Sequence, residues 1–178
     1  MMEERVLERK IIFEGRLLRL RVDKVELANG VISTREVVEH RGAVAILPIL
    51  PDGNILFVRQ FRLPAGKVLL EIPAGTLSPN EEPLECAKRE LEEETGYIAG
   101  EWRKLTSLYL APGYSTECIH IFLAEDLRAG ERNPDEDEEI RVCQFSLKEA
   151  LEMVRKGEIE DAKTVSALLF YKTFIKEG

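Results

Sequence analysis

Three carboxylates crowd one short stretch of this chain, Glu90, Glu93 and Glu94 in RELEEETGY, with Arg89 beside them. At about 100° per residue they fall within one helical arc, next to the apolar arc of Leu84, Ala87 and Leu91. Like charges three or four residues apart on a helix cost roughly 0.2–0.5 kcal/mol per pair, so the arrangement calls for an offsetting interaction. Arg89 is four residues from both Glu85 and Glu93 and can brace the flank. Two readings stand. The face is a solvated acidic surface, or it is a hard-cation site, because carboxylate oxygens are the ligands Mg²⁺ prefers alongside waters and substrate phosphates.

A helix must carry these residues. Ser78 or Asn80 can cap it, acidic residues fill its first turn, Pro83 is tolerated there, and Gly96 stops it. Upstream, Leu17 to Leu27 partly alternates, Asn29-Gly30 marks a turn, and REVVEH at 35–40 follows, which predicts a hairpin of polar-faced strands. The apolar run GAVAILPIL at 42–50, the turn PDGN and ILFVRQFR at 55–62 read as a second, deeper hairpin. Leu69 to Ile72 is a short strand ending at Pro73-Ala74-Gly75. Beyond the acidic helix, strands are expected at 104–110 and 117–124 around the turn-rich APGYST, and again at IRVCQFS. Two helical patterns, 147–156 and 162–175, are split by Gly157.

The chain has 178 residues, enough for one well-buried core. Its formal net charge of −8 speaks against nucleic acid or an anionic membrane as partner, since both reward clustered Lys and Arg. Cys86, Cys118 and Cys143 form no CxxC pair and are odd in number, so they read as reduced core thiols. MMEERVLERK has no apolar h-region, and no run approaches the roughly 18 apolar residues of a membrane span. The expectation is a cytoplasmic protein.

The spacing decides between the two readings of the acidic face. Gly75, Glu81, Arg89, Glu90, Glu93, Glu94 and Gly96, with Leu91 and Tyr97 in the bulky apolar slots, reproduce G-x5-E-x7-R-E-U-x-E-E-x-G-U. Seven such coincidences have a chance on the order of 10⁻⁸ per start position. The segment 75–97 resembles the box of the Nudix hydrolases, with Tyr97 where an aliphatic residue is commoner. The resemblance implies an α+β fold: an α/β/α sandwich with a mixed sheet over 42–178, plus a small N-terminal antiparallel β-sheet over 1–41. It also implies a loop-helix-loop that binds divalent metal and cleaves a nucleoside diphosphate linked to another group. By that resemblance Glu90, Glu94 and the main-chain carbonyl of Ala74 bind two or three Mg²⁺ ions, with Mn²⁺ as a substitute. Glu93 is a further ligand or positions water, and Arg89 and Glu81 hold loop and helix in register.

The flanks are similar to the ADP-ribose pyrophosphatase branch of that family. Pro112, sixteen residues after Gly96, resembles a marker of that branch. DEDEEIRV at 135–142 resembles its mobile acidic loop, which puts either Glu138 or Glu136 at the metal and the attacking water as general base, Glu138 also as a metal ligand. The N-terminal hairpins resemble a sheet exchanged across a homodimer to build an adenosine pocket. For the phosphates, Arg62 and Arg41 are candidates because guanidinium offers a planar fork, with Arg59 on the opposite face of its strand from Arg62 and Gln60. Gly113 and Tyr114 are candidates at the ribose. The aromatic that relatives place against adenine has no Trp or Tyr counterpart in GRLLRLRV, and Phe13 is a weak substitute. His40, His120 and Trp102 read as structural. The reaction implied is ADP-ribose plus water giving AMP and ribose 5-phosphate. Its rivals are a nucleotide sugar, NADH or a dinucleoside polyphosphate as substrate, or a Nudix-fold module that senses a nucleotide without cleaving it.

Overall fold

The computed structural model describes residues 3–133 and 139–176. The chain divides into two compact units, residues 1–42 with 109–118, and residues 43–108 with 119–178.

In the first unit β1 (Glu4–Glu14), β2 (Leu18–Leu27) and β3 (Ile32–His40) form an antiparallel sheet in that order. The β2–β3 hairpin is the one the Asn-Gly signal predicts. Gly30 turns at φ 82° and the Asn29 side chain accepts from the Val31 N–H. β1 was not legible as a strand, because ERVLERKIIFE has no regular alternation and its register slips twice against β2. Cross-strand charge pairs such as Arg5 with Glu26 support it instead. The segment 109–118 is stitched to β3, where Val38 donates to the Tyr114 carbonyl at 2.7 Å and Thr116 donates back to Val38 at 3.0 Å.

The second unit carries β4 (Ala43–Pro48), β5 (Asn54–Arg62), β6 (Lys67–Glu71), β7 (Ala74–Thr76), α1 (Pro83–Thr95), β8 (Tyr97–Tyr109), β9 (Cys118–Ala129), β10 (Ile140–Ser146), α2 (Leu147–Lys156) and α3 (Ala162–Phe174). Two sheets result, an antiparallel one ordered β10-β5-β6 and a mixed one ordered β7-β4-β9-β8 in which β4 and β9 run parallel. The expected β4–β5 hairpin is therefore corrected. The PDGN turn is present, closed by the Leu50 N–H on the Asn54 carbonyl and an Ile49–Ile55 bridge, but the two strands then enter different sheets. Burial on both faces makes this possible. Ala43, Ala45 and Leu47 join the core that also holds Ala167 and Leu168 of α3, while Val44 and Ile46 join the one that holds Ala87 and Leu91 of α1. A strand with helices on both sides needs no polar face, which is why it reads as a continuous apolar run.

α1 starts later than its capping signals suggest. Its N-cap is Glu82 with no side-chain cap, because Pro83 sets the first turn, and Asn80 instead takes a left-handed turn conformation at φ 63°. Gly96 stops the helix as predicted, at φ 74° with its N–H on the Glu92 carbonyl. Ser146 and Glu149 form a capping box on α2, and Gly157 ends that helix. Among the described residues no helix is long and apolar enough to cross a membrane.

Candidate functional site

The site is built where β7 meets α1. Ala74 pairs with Ala45 of β4, which holds this short strand at the edge of the mixed sheet, and its N–H donates to Glu94 Oε2 at 3.2 Å. Glu94 is only 3% exposed although it lies on a helix face with two other acids. Gly75 is required next to it, because a Cβ on Gly75 would fall within the Glu90 carboxylate. Thus Glu90, one turn before Glu94, and Glu94 itself both rest on the main chain of Ala74 and Gly75.

Arg89 organises the outer side of this arrangement. Its Nε and Nη2 reach the two Glu81 oxygens at 3.0 and 3.1 Å, and Nη1 lies 2.8 Å from both Glu90 and Glu93. The guanidinium pairs with Glu81 in the bidentate geometry that makes such bonds strong. Hydrogen bonds from Arg89 hold the Glu81 carboxyl at about 2, against burial that opposes the charge. The Ser78 N–H also donates to Glu81, so loop and helix are tied through one carboxylate. Beneath them burial pushes the Cys86 thiol up to about 12, which makes it a packing group and not a nucleophile.

Among the described residues no three His, Cys, Asp or Glu side chains are gathered as a metal cage. The residues still fit a hard cation, since Mg²⁺ commonly takes one or two carboxylates and fills its remaining positions with water and phosphate oxygens. The structural support for that fit is the close approach of the Glu90 carboxylate to Gly75, where a Cβ would collide with it. Glu93, expected to be a further ligand or to position water, has its carboxylate on Arg89.

Glu136 and Glu138 lie outside the described residues. The residues leading to them are anchored on the last turn of α1. Gly130 donates to the Gly96 carbonyl, Asn133 to that of Glu93, and Arg132 Nε to that of Glu94 at 2.9 Å. Arg132 also donates to the Ile140 carbonyl, so one side chain joins the segments on either side of 134–138. These contacts satisfy carbonyls that a helix end leaves unpaired. Sequence reading missed Arg132, whose only signal is an Arg beside an acidic run.

The other candidates separate. Arg62 forks onto Glu71, with Nε at 2.8 Å and Nη2 at 3.1 Å, and Glu94 adds to the field that keeps the guanidinium charged. Glu71 is 2% exposed and also pairs with Lys163 of α3. Burial pushes the Glu71 carboxyl up, but Arg62 and Lys163 outweigh it and leave it below its ordinary range. Neither Glu71 nor Lys163 was singled out from sequence, where an acid in VLLEIPAG and a lysine in DAKTVSALL are the available signals. Arg59 is exposed on the opposite face from Gln60 and Arg62, as alternation requires. Arg41, Gly113 and Tyr114 belong to the first unit, where Arg41 donates to the Arg16 carbonyl and Tyr114 is exposed. Phe13 is exposed on β1.

The residues read as structural have structural partners. His40 Nδ1 accepts from the Gly42 N–H, His120 bonds Ser107 at 2.8 Å, and Trp102 packs edge-on against Phe122. Cys86 is buried, Cys118 and Cys143 are half-buried, and all three are free.

Comparison with known proteins bears on the whole chain. Residues 39–168 match the family model described as "NUDIX domain", and residues 4–38 match "Nucleoside diphosphate sugar hydrolase N-terminal domain". The chain is 46% identical over 171 residues to a Bacillus subtilis protein named ADP-ribose pyrophosphatase, covering 95% of this chain and 92% of that one. It is 42% identical to a Bacillus methanolicus protein named methanol dehydrogenase activator, covering 94% and 92%. A solved structure described as "Crystal structure of ADP compounds hydrolase" superposes with a TM-score of 0.88 at 26% identity, covering 99% of this chain and 96% of that one.

Proposed function

The chain belongs to the Nudix family of hydrolases, and from that premise we propose that it cleaves the diphosphate of ADP-ribose with water, releasing AMP and ribose 5-phosphate. The observation that supports this most directly is the convergence of Glu90 and Glu94 on the Ala74–Gly75 main chain. Similarity to the B. subtilis ADP-ribose pyrophosphatase and to the superposed ADP compounds hydrolase supports ADP-ribose as the substrate.

In this reading Glu90, Glu94 and the Ala74 carbonyl would hold Mg²⁺, with Mn²⁺ as a substitute, Glu138 as a further ligand, and Glu93 as a further ligand or a group that positions water. The metal, when bound, supplies charge neutralisation for the diphosphate and its leaving oxygen. Arg89 fixes the carboxylates in place and keeps Glu81 ionised, so the loop before α1 does not drift from the helix. Arg62 and Arg41 contact phosphate oxygens, and Gly113 and Tyr114 the ribose. Glu138 or Glu136 removes the proton from the attacking water, a contribution of about 10²–10⁴-fold. Arg132, donating to the Glu94 and Ile140 carbonyls, ties together the residues on either side of that segment.

We further read the protein as a cytoplasmic homodimer that exchanges the N-terminal sheet. Three free thiols suit a reducing compartment. Exposed Ile11, Ile12, Phe13 and Leu17 along and beside β1 offer apolar area to a second copy. A monomer by sedimentation at micromolar concentration would contradict it.

A second reading, a nucleotide sugar as the preferred substrate, is favoured by the description of the family that residues 4–38 match. Product analysis in H₂¹⁸O, with and without Mg²⁺, tests both. Metal-dependent AMP and ribose 5-phosphate from ADP-ribose support the first, and the labelled product identifies the phosphorus attacked. A higher kcat/KM on nucleotide sugars, measured side by side, replaces it with the second.

A further inference from the structure

A cluster of charges lies behind the phosphate-facing candidate Arg62, and the box does not include it. Glu71, at the end of β6, receives Arg62 from one side and Lys163 from the other. Lys163 is 8% exposed and lies 2.9 Å from Asp161, the N-cap of α3. Asp161 also accepts from the Thr164 N–H and hydroxyl, and the Thr164 hydroxyl accepts from the Ile72 N–H at 2.9 Å. The start of α3 thereby grips Glu71 and Ile72, immediately before Pro73 and the Ala74–Gly75 start of β7 on which Glu90 and Glu94 rest.

We propose that Lys163 is a positioning residue for diphosphate binding: by sharing Glu71 it leaves the Arg62 guanidinium with positive field to offer the substrate. This rests on the reading of the site as a nucleoside diphosphate hydrolase. The cluster holds two cations, Arg62 and Lys163, and two anions, Glu71 and Asp161, and is formally neutral. Without Lys163, Glu71 has Arg62 alone, and the cluster carries a net negative charge close to Glu94. A dianionic ligand would then meet repulsion where it now meets an available guanidinium. The side chain of Arg62 is 36% exposed, so it can serve Glu71 and a ligand together. Lys163 is too buried for the contact itself, and its effect passes through Glu71.

The test compares wild type, Lys163→Met, Lys163→Arg and the double variant Asp161→Asn/Lys163→Met. Its readouts are KM and kcat for ADP-ribose, calorimetric Kd for ADP, and thermal melting. A unit charge about 10 Å from a ligand at an effective dielectric of about 20 alters affinity roughly tenfold. Lys163→Met is expected to raise KM and the ADP Kd by about that factor while kcat changes less than about threefold. Lys163→Arg recovers most of the loss, and Asp161→Asn in the double variant recovers affinity without recovering melting temperature. Unchanged KM and Kd in Lys163→Met, or a double variant no better than the single one, overturns the proposal. If wild type cleaves ADP-ribose and Lys163→Met matches it, only this inference fails. If wild type neither cleaves ADP-ribose nor binds ADP, both fail.

Discussion

Glu90 and Gly75 share one volume: the carboxylate of the first lies where any side chain on the second would begin. The box glycine and the first glutamate of the acidic helix face are thus two halves of one contact, joined across the loop between β7 and α1.

Gly75→Ala is expected to displace the Glu90 carboxylate, lowering stability by about 1–3 kcal/mol as overpacking does. Turnover should fall by roughly 10²-fold, the scale on which a misplaced group costs an active site. Steady-state kinetics and a melting curve check it. A Gly75→Ala variant with wild-type kcat would show that Glu90 works from another position.

Glu94→Gln keeps an acceptor for the Ala74 N–H and removes the charge. It should fold normally, with a melting temperature near that of wild type, and lose roughly 10²–10³-fold in kcat. Full activity with Mg²⁺ would remove Glu94 from the metal site.

Divalent metal should stabilise the folded chain, because a cation bound between Glu90 and Glu94 relieves their repulsion and is absent from the unfolded state. With free cation at roughly 100 times its Kd the gain is about 2.7 kcal/mol. Scanning calorimetry with Mg²⁺ and then with EDTA measures it. No shift at millimolar Mg²⁺, or a full shift in Glu90→Gln, contradicts the assignment.

Glu81 carries a pH signature. Its carboxyl is depressed to about 2 from 4.5, by Arg89 first. A group depressed in the folded state contributes stability that is complete above its unfolded value and is lost as pH falls towards the folded one. Glu81→Gln should therefore cost about 1 kcal/mol near neutrality, and its deficit should close as pH drops from about 4.5 to about 2. Melting temperatures across that range test it. A deficit that stays constant with pH would assign the loss to packing and not to the ion pair.

Much of the site was legible because its geometry is local. Glu90, Glu93 and Glu94 share a face through helical periodicity alone, and Arg89 reaches Glu93 through the same rule. Gly96 ends α1 because the chain must turn left-handed there. The long-range pairings were not legible. An apolar run cannot say whether its neighbour in sequence is its neighbour in a sheet: β4 and β5 read as a hairpin, whereas β4 pairs in parallel with β9. β1 escaped because its support comes from charge pairs with β2, which no pattern within β1 reveals.

By itself the sequence determined the reaction chemistry: a helix of spaced carboxylates behind a glycine loop, in a family whose box binds metal at a diphosphate. Tertiary structure alone decided which distant side chains pair around those carboxylates. Glu71 and Lys163 are 92 residues apart and meet only because α3 packs on the β4 layer, and Arg132 meets Glu94 only because β9 returns beside α1. The division has a physical cause. Helical spacing is set by dihedral angles within a few residues, whereas a buried ion pair forms only after burial has brought distant segments together and removed the water that screened them.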